Sequence, residues 1–215
     1  MFGRLIFGLA ALLLCAAAAG QQRPVEGKDY LALNPPQPVE ASGKVEVTEF
    51  FWYRCPHCYN LEPALQEWVK KLPRDVNFRQ VPAIFNDEWA LDARIFYTLE
   101  TTGDLARVHG GLMDAIHRQG GNRLKGEAYM KWIADWLGKN GVDPAKYDTT
   151  LRSFSVETKL KRAVQLTQAY KLDGVPAISV QGRWLVSASM VGAPQSMIHV
   201  TDYLTGEARK RLATK

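Results

Sequence analysis

Cys55 and Cys58 stand three residues apart in the stretch FFWYRCPHCYNLEP, with Pro56 and His57 between them. Two sulfurs at that spacing can contribute to a metal site, brace the fold as a small disulfide, sit inert, or exchange a disulfide with another protein. Zinc takes four ligands, and the other histidines, His109, His117 and His199, lie at no spacing that completes such a set, so no metal is expected. A bridge across two intervening residues closes so small a loop that it restricts the unfolded chain little, which makes it a poor brace. Exchange needs a thiolate, and a cysteine at the start of a helix has unpaired backbone N–H groups and the helix dipole directed at its sulfur. Cys55 occupies that place and is read as the nucleophile. His57 can donate a hydrogen bond or a positive charge to the same sulfur. Cys58, one turn further in and better buried, is read as the resolving thiol. A thiolate favoured in this way stabilises the reduced protein: each pKa unit below about 7 is worth about 1.4 kcal/mol, or about 30 mV for a two-electron couple. The pair is therefore expected to oxidise other thiols rather than reduce disulfides.

The elements that must position these sulfurs follow from periodicity. VEVTEFFWY, from Val45 to Tyr53, is a run of β-branched and aromatic residues that reads as a central strand covered on both faces. Pro56 suits a first helical turn, and Leu61, Leu65, Trp68, Val69 and Leu72 recur at helical spacing, so a helix is expected from Cys55 to about Leu72, bent at Pro63. A second strand is expected at Val76 to Val81, completing a βαβ unit with a parallel sheet. From about Glu88 to Lys171 apolar residues recur at helical spacing in several segments, including Val108, Leu112, Met113 and Ile116, with Asp143-Pro144 as a cap and first turn. The aromatic and methionine stripes there read as core packing. AISVQG and RWLVSA meet at Gln181-Gly182 as a hairpin, and a closing helix runs from about Pro194 to Arg211. The proline-rich lead-in NPPQPVEASGK carries no element of its own.

The N-terminus bears on the redox compartment. Arg4, the apolar Leu5 to Leu14 and the small residues AAAAG read as a secretory signal cleaved near Ala19 or Gly20; Leu14 before Cys15 argues against a lipidated cysteine. Removal takes Cys15 with it and leaves Cys55 and Cys58 as the mature cysteines, in an oxidising compartment read as the bacterial periplasm. About 195 residues remain, enough for one domain carrying an insertion. A net charge of +5 on scattered basic residues is read as solubility rather than nucleic-acid binding.

Taken together, CPHC after an aromatic strand, Gly174-Val175-Pro176, and a helical segment between βαβ and ββα resemble the DsbA family of periplasmic thiol oxidases. The resemblance implies an α/β thioredoxin-like fold with an inserted all-helical domain: a signal over 1–20, the thioredoxin-like part over 21–87 and 172–215, and the insertion over 88–171. It implies that Pro56 and His57 tune the two cysteines, and that Pro176 is a cis-proline facing the disulfide. Val175 would then offer a backbone edge to an extended substrate. Glu49 matches the buried acid that exchanges protons with the second cysteine, with a solvated strand-end Glu as the competing account. The lysine often found near that acid is replaced by Gln80, with Arg79 beside it. Glu62, one helical turn after Cys58, could also tune the site, with an exposed helix carboxylate as the favoured account. The family further implies unfolded exported proteins with free thiols as substrates, a quinone-linked membrane reoxidant of the DsbB type, no bound cofactor, and a monomer, since the lead-in is too short for the dimerisation domain that related isomerases carry. An isomerase or reductase of the same fold and a non-enzymatic binding module are the alternatives.

Overall fold

The structure, a computed structural model, describes residues 22–41 and 43–214; the expected signal segment and Cys15 lie outside them. Five strands form one sheet in the order β1-β5-β4-β2-β3. Strand β2, Val45–Phe51, is buried along its whole length and lies between a parallel partner, β3 (Val76–Pro82), and an antiparallel one, β4 (Ala177–Val180). Apolar and β-branched side chains fill five of its seven positions, as a strand covered on both faces requires, and Glu46 and Glu49 are buried with them.

Helix α1, Pro56–Val69, is the crossover from β2 to β3, and it continues through Pro63 without interruption, ending three residues earlier than the apolar spacing suggested. Leu61, Leu65 and Trp68 of α1 pack with Val45, Val47 and the last helix, α8 (Pro194–Ala213), in one core. A second core joins Phe50, Phe51 and Tyr53 to five helices: α2 (Asp87–Thr102), α3 (Leu105–Arg118), α4 (Gly126–Lys139), α5 (Pro144–Leu151) and α6 (Phe154–Ala169). Their starts obey the capping chemistry of short polar side chains: Asn86 accepts from the Glu88 and Trp89 N–H groups, Asp143 from Ala145 and Lys146, and Ser153 from Val156.

The expected hairpin forms between β4 and β5 (Trp184–Ser187). Gln181 and Gly182 both have positive φ, 53° and 59°, within a three-residue connection between the paired Val180 and Trp184, and the Arg183 N–H donates back to the Val180 carbonyl at 3.0 Å. A side chain at position 182 would also collide with the Gln37 carbonyl, which a Cβ there would meet at 2.0 Å. That contact belongs to a feature the sequence reading missed. The lead-in is not featureless: Leu31–Ala32 forms β1 at the sheet edge against β5, and Gln37 N–H donates to the Gly182 carbonyl at 2.7 Å. A two-residue strand leaves no alternation to read. A short helix, α7 (Ala188–Val191), also interrupts the path from β5 to α8.

Candidate active site

Strand β2 ends at Phe51, and the next four residues carry the chain to Cys55 at the N-cap of α1. Cys55 has an extended backbone, φ −76° and ψ 117°, and Pro56, with its fixed φ, begins the helix. No side chain caps this helix, so the N–H groups of its first turn remain available to the Cys55 sulfur. Both thiols are unbridged, and Cys58, on the inner face of α1, is fully buried while Cys55 is 7 % exposed.

The two sulfurs are driven in opposite directions. The Cys55 thiol is pulled down to about 6, chiefly by the Cys58 thiol donating to it and against the opposing effect of burial; the backbone N–H groups of Cys58 and His57 assist, and the charge of His57 contributes least. The Cys58 thiol is pushed well above its ordinary value by burial, then by the Cys55 sulfur as partner and as charge, and by Glu49. In its protonated form Cys55 donates to the Val175 carbonyl at 3.5 Å, and the Val175-Pro176 bond is cis. A groove of about 360 Å³ opens beside them, lined by His57, Gly174, Val175, Pro176 and the start of α7.

Glu49 lies in the middle of β2 and is 1 % exposed, which rejects the account of a solvated strand-end carboxylate. It faces Gln80 across the parallel register, and the Gln80 amide donates to Glu49 Oε2 at 2.8 Å. Burial, reinforced by the charge of Glu62 and opposed by that hydrogen bond, lifts its carboxyl to about 8. Arg79 does not stand in for a lysine here. Alternation along β3 sends it to the other face, where it bonds Thr48 and pairs with Glu40 and Glu46. Glu62 corrects the reading of an exposed helix carboxylate: it is 8 % exposed, on the face of α1 that carries Cys58, and burial raises its pKa.

The structure also gathers residues around the site that sequence reasoning left among the core and surface. Arg54, the residue before the nucleophile, is buried; it bonds Asp92 at 2.9 Å and Glu88 at 2.9 Å of α2, with its guanidinium 4.5 Å from the Tyr129 ring of α4. Tyr129 O–H completes this grip by donating to Asp92 at 2.6 Å. The ring N–H of His117 donates to the Tyr53 carbonyl at 2.9 Å, and His117 stacks on Tyr59 of α1. Tyr53 O–H lies 3.0 Å from His109 Nδ1. The helical segment thus holds the cysteine loop from three helices. A lone arginine within an apolar run and the Glu88/Asp92 pair at helical spacing were the available signals. Among the described residues no cluster of three or more His, Cys, Asp or Glu is placed to hold a metal ion.

Comparison with known proteins decides the family. The family model of the DSBA-like thioredoxin domain matches residues 80–199, a segment that begins after CPHC and includes the cis-proline. The chain belongs to the DsbA-like thioredoxin family. It is 37% identical over 205 residues to the thiol:disulfide interchange protein DsbA of Pseudomonas aeruginosa, covering 94% of this chain and 95% of that one. The corresponding protein of Azotobacter vinelandii is 38% identical over 183 residues, 85% of this chain and 84% of its own. The crystal structure of Pseudomonas aeruginosa DsbA superposes with a TM-score of 0.80 at 38% identity, covering 88% of this chain and 96% of that one. The oxidoreductase DsbA from Xylella fastidiosa superposes at 0.81 and 30% identity, covering 88% and 100%. These matches extend the DsbA-like assignment to the N-terminal βα segment that carries the two cysteines.

Proposed function

We propose that this DsbA-like chain is a periplasmic thiol:disulfide oxidoreductase that places disulfides in exported proteins by giving away a Cys55–Cys58 disulfide. The observation that carries the reading is the opposite treatment of the two sulfurs, one favoured as a thiolate and the other held as a thiol. A substrate thiolate attacks Cys55 Sγ, the Cys55–Cys58 bond breaks, and its electron pair goes to Cys58, which takes a proton from the Glu49 carboxyl. A second substrate thiolate then attacks the substrate sulfur of the mixed disulfide and expels Cys55 as a thiolate. The substrate dithiol is oxidised to a disulfide, and the enzyme disulfide is reduced. The stability of the leaving Cys55 thiolate is what drives transfer outward. Pro56 and His57 set the sulfur's surroundings, and the groove at Val175-Pro176 receives an extended substrate segment.

The reduced enzyme then passes its electrons to a quinone-linked membrane protein of the DsbB type and acts as a monomer without a bound cofactor. Its working parts are the two βα/ββα segments, with residues 88–171 as the inserted unit. The redox equilibrium with glutathione tests the direction of transfer: a strongly oxidising couple is expected, and a couple as reducing as that of a cytosolic dithiol reductant would overturn it in favour of a reductase.

A further inference from the structure

The groove beside the cis-proline receives the substrate segment, and its walls are short of charge. A smaller hollow of about 130 Å³, lined by Leu61 and Met197, shares its His57 and Pro176 walls and is apolar. Among the described residues that line the two hollows there is no lysine and no arginine. Ser187 and Ser189, which line the larger one, bond to each other at 2.8 Å. One carboxylate stands in this lining: Asp173.

Asp173 sits on the short bridge from α6 to β4, and that bridge is held on both sides of it. Before it, the Lys171 N–H donates to the Gln168 carbonyl at 2.9 Å, the Leu172 N–H to the Thr167 carbonyl at 3.1 Å, and the Leu172 side chain is buried. After it, the Ala188 N–H donates to the Pro176 carbonyl at 3.2 Å. The residue is exposed and, among the described residues, takes part in no ion pair. A carboxylate accepts hydrogen bonds and donates none, so its strongest complement is a lysine or arginine. The chain as a whole carries a net charge of +5, but at physiological ionic strength exposed charges are screened beyond about 8 Å. A cation that reaches the groove therefore meets Asp173 at close range. Asp173 and Val175 are two residues apart, about 7 Å along an extended chain. Since the Cys55 thiol bonds the Val175 carbonyl, a substrate cysteine that meets Cys55 brings a residue about two positions along the substrate opposite Asp173.

We propose that Asp173 is a specificity-determining residue of the exchange: it pairs with a lysine or arginine about two residues from the substrate cysteine, so that exported proteins whose cysteines have basic neighbours are oxidised first. The same neighbouring cation favours the thiolate form of the substrate cysteine, which is the form that attacks Cys55 Sγ. Asp173 takes no part in the bond changes; it selects which thiolate arrives. The proposal rests on the reading of the chain as a thiol oxidase that takes its substrates in this groove.

Three dithiol peptides test this against the oxidised protein by quenched flow, with the peptide disulfide read by chromatography. They differ only in the residues two before and two after the first cysteine, which are lysine, glutamine or glutamate. A peptide's own thiol reactivity is the same whichever enzyme it meets, so the comparison of parent with variant isolates the groove. The Lys-to-Glu ratio of second-order rate constants is expected to fall about threefold in Asp173→Asn, the size of one solvent-exposed ion pair, and about tenfold in Asp173→Lys, with the glutamine peptide in between. Raising the salt from about 0.01 M to about 1 M, which shortens the screening length from about 30 Å to about 3 Å, should bring the ratios of parent and Asp173→Asn together. A ratio that is the same in parent and Asp173→Asn overturns the proposal, and uniform slowing of all three peptides counts as that result, because it marks an effect on the disulfide rather than on selection. In that case a parent that oxidises all three peptides keeps the oxidoreductase reading and loses only the role of Asp173. A parent that oxidises none of them removes the oxidoreductase reading itself.

Discussion

Cys55 and Cys58 are the same side chain one helical turn apart, and their surroundings make them different reagents. Cys55 sits outside the first turn, where N–H groups converge on it and a groove opens beside it. Cys58 faces inward onto buried carboxyls and no exposed surface. One position favours negative charge and the other excludes it, so the pair has a built-in direction before any substrate binds. The helix start alone does not produce this asymmetry: the largest influence on Cys55 is the Cys58 thiol, which can donate because burial keeps it protonated.

Removing either sulfur breaks the comparison outright. Cys55→Ser should abolish dithiol oxidation in an assay with a reduced, unfolded substrate. Cys58→Ser should instead trap substrates as mixed disulfides on Cys55, visible by non-reducing electrophoresis. Cys58→Ala should raise the Cys55 pKa, read from thiolate absorbance, more than Cys58→Ser, which retains an O–H donor. Next in size is the grip on the cysteine loop. Asp92→Ala leaves the buried Arg54 charge without its inner partner and should cost about 3–5 kcal/mol in denaturant unfolding. Because Arg54 also pairs with the half-exposed Glu88, Glu88→Ala should cost far less.

Glu49→Gln sharpens the inner half of the comparison. A carboxyl at about 8 in the folded protein and near 4.5 in the unfolded chain binds more protons when folded, so its share of stability is present at low pH and is lost as pH rises through about 8. The glutamine variant should therefore be more stable at pH 7, by about 2–3 kcal/mol, and slower in resolution. Cys55 has the opposite sign. Its depressed pKa gives the reduced protein stability that is present above the ordinary thiol value and is lost as pH falls through about 6, so thermal unfolding should show the reduced form gaining on the oxidised form as pH rises from 6 to 9. His57→Ala is the smallest expected change: a rise in the Cys55 pKa below that of Cys58→Ala, because the histidine charge contributes least.

The outer half of the site was legible in the sequence, because a helix start, a proline and two cysteines are local signals. The inner half was not. Glu62 shares the helical spacing of Cys58, Leu61 and Leu65, so its burial was implicit in the pattern, but a charged residue next to Pro63 reads as solvated unless its neighbour across the fold is known. His109 and Arg54 show why. Periodicity marked the buried stripe of α3 and the strand before CPHC, but a single chain does not say which stripe packs against which loop. Val175, which forms the cis bond to Pro176 beside Cys55, lies 120 residues away in sequence, and the cis-proline came from resemblance rather than from any local pattern. β1 was missed because its two residues form a strand only through β5.

Titration of the reduced protein by thiolate absorbance tests the asymmetry most directly. A single thiolate should appear with a midpoint near pH 6, assigned to Cys55 by its loss in Cys55→Ser, and the second sulfur should stay protonated through pH 9. Two thiols titrating together near 9, or a Cys58 thiolate forming before that of Cys55, would contradict it.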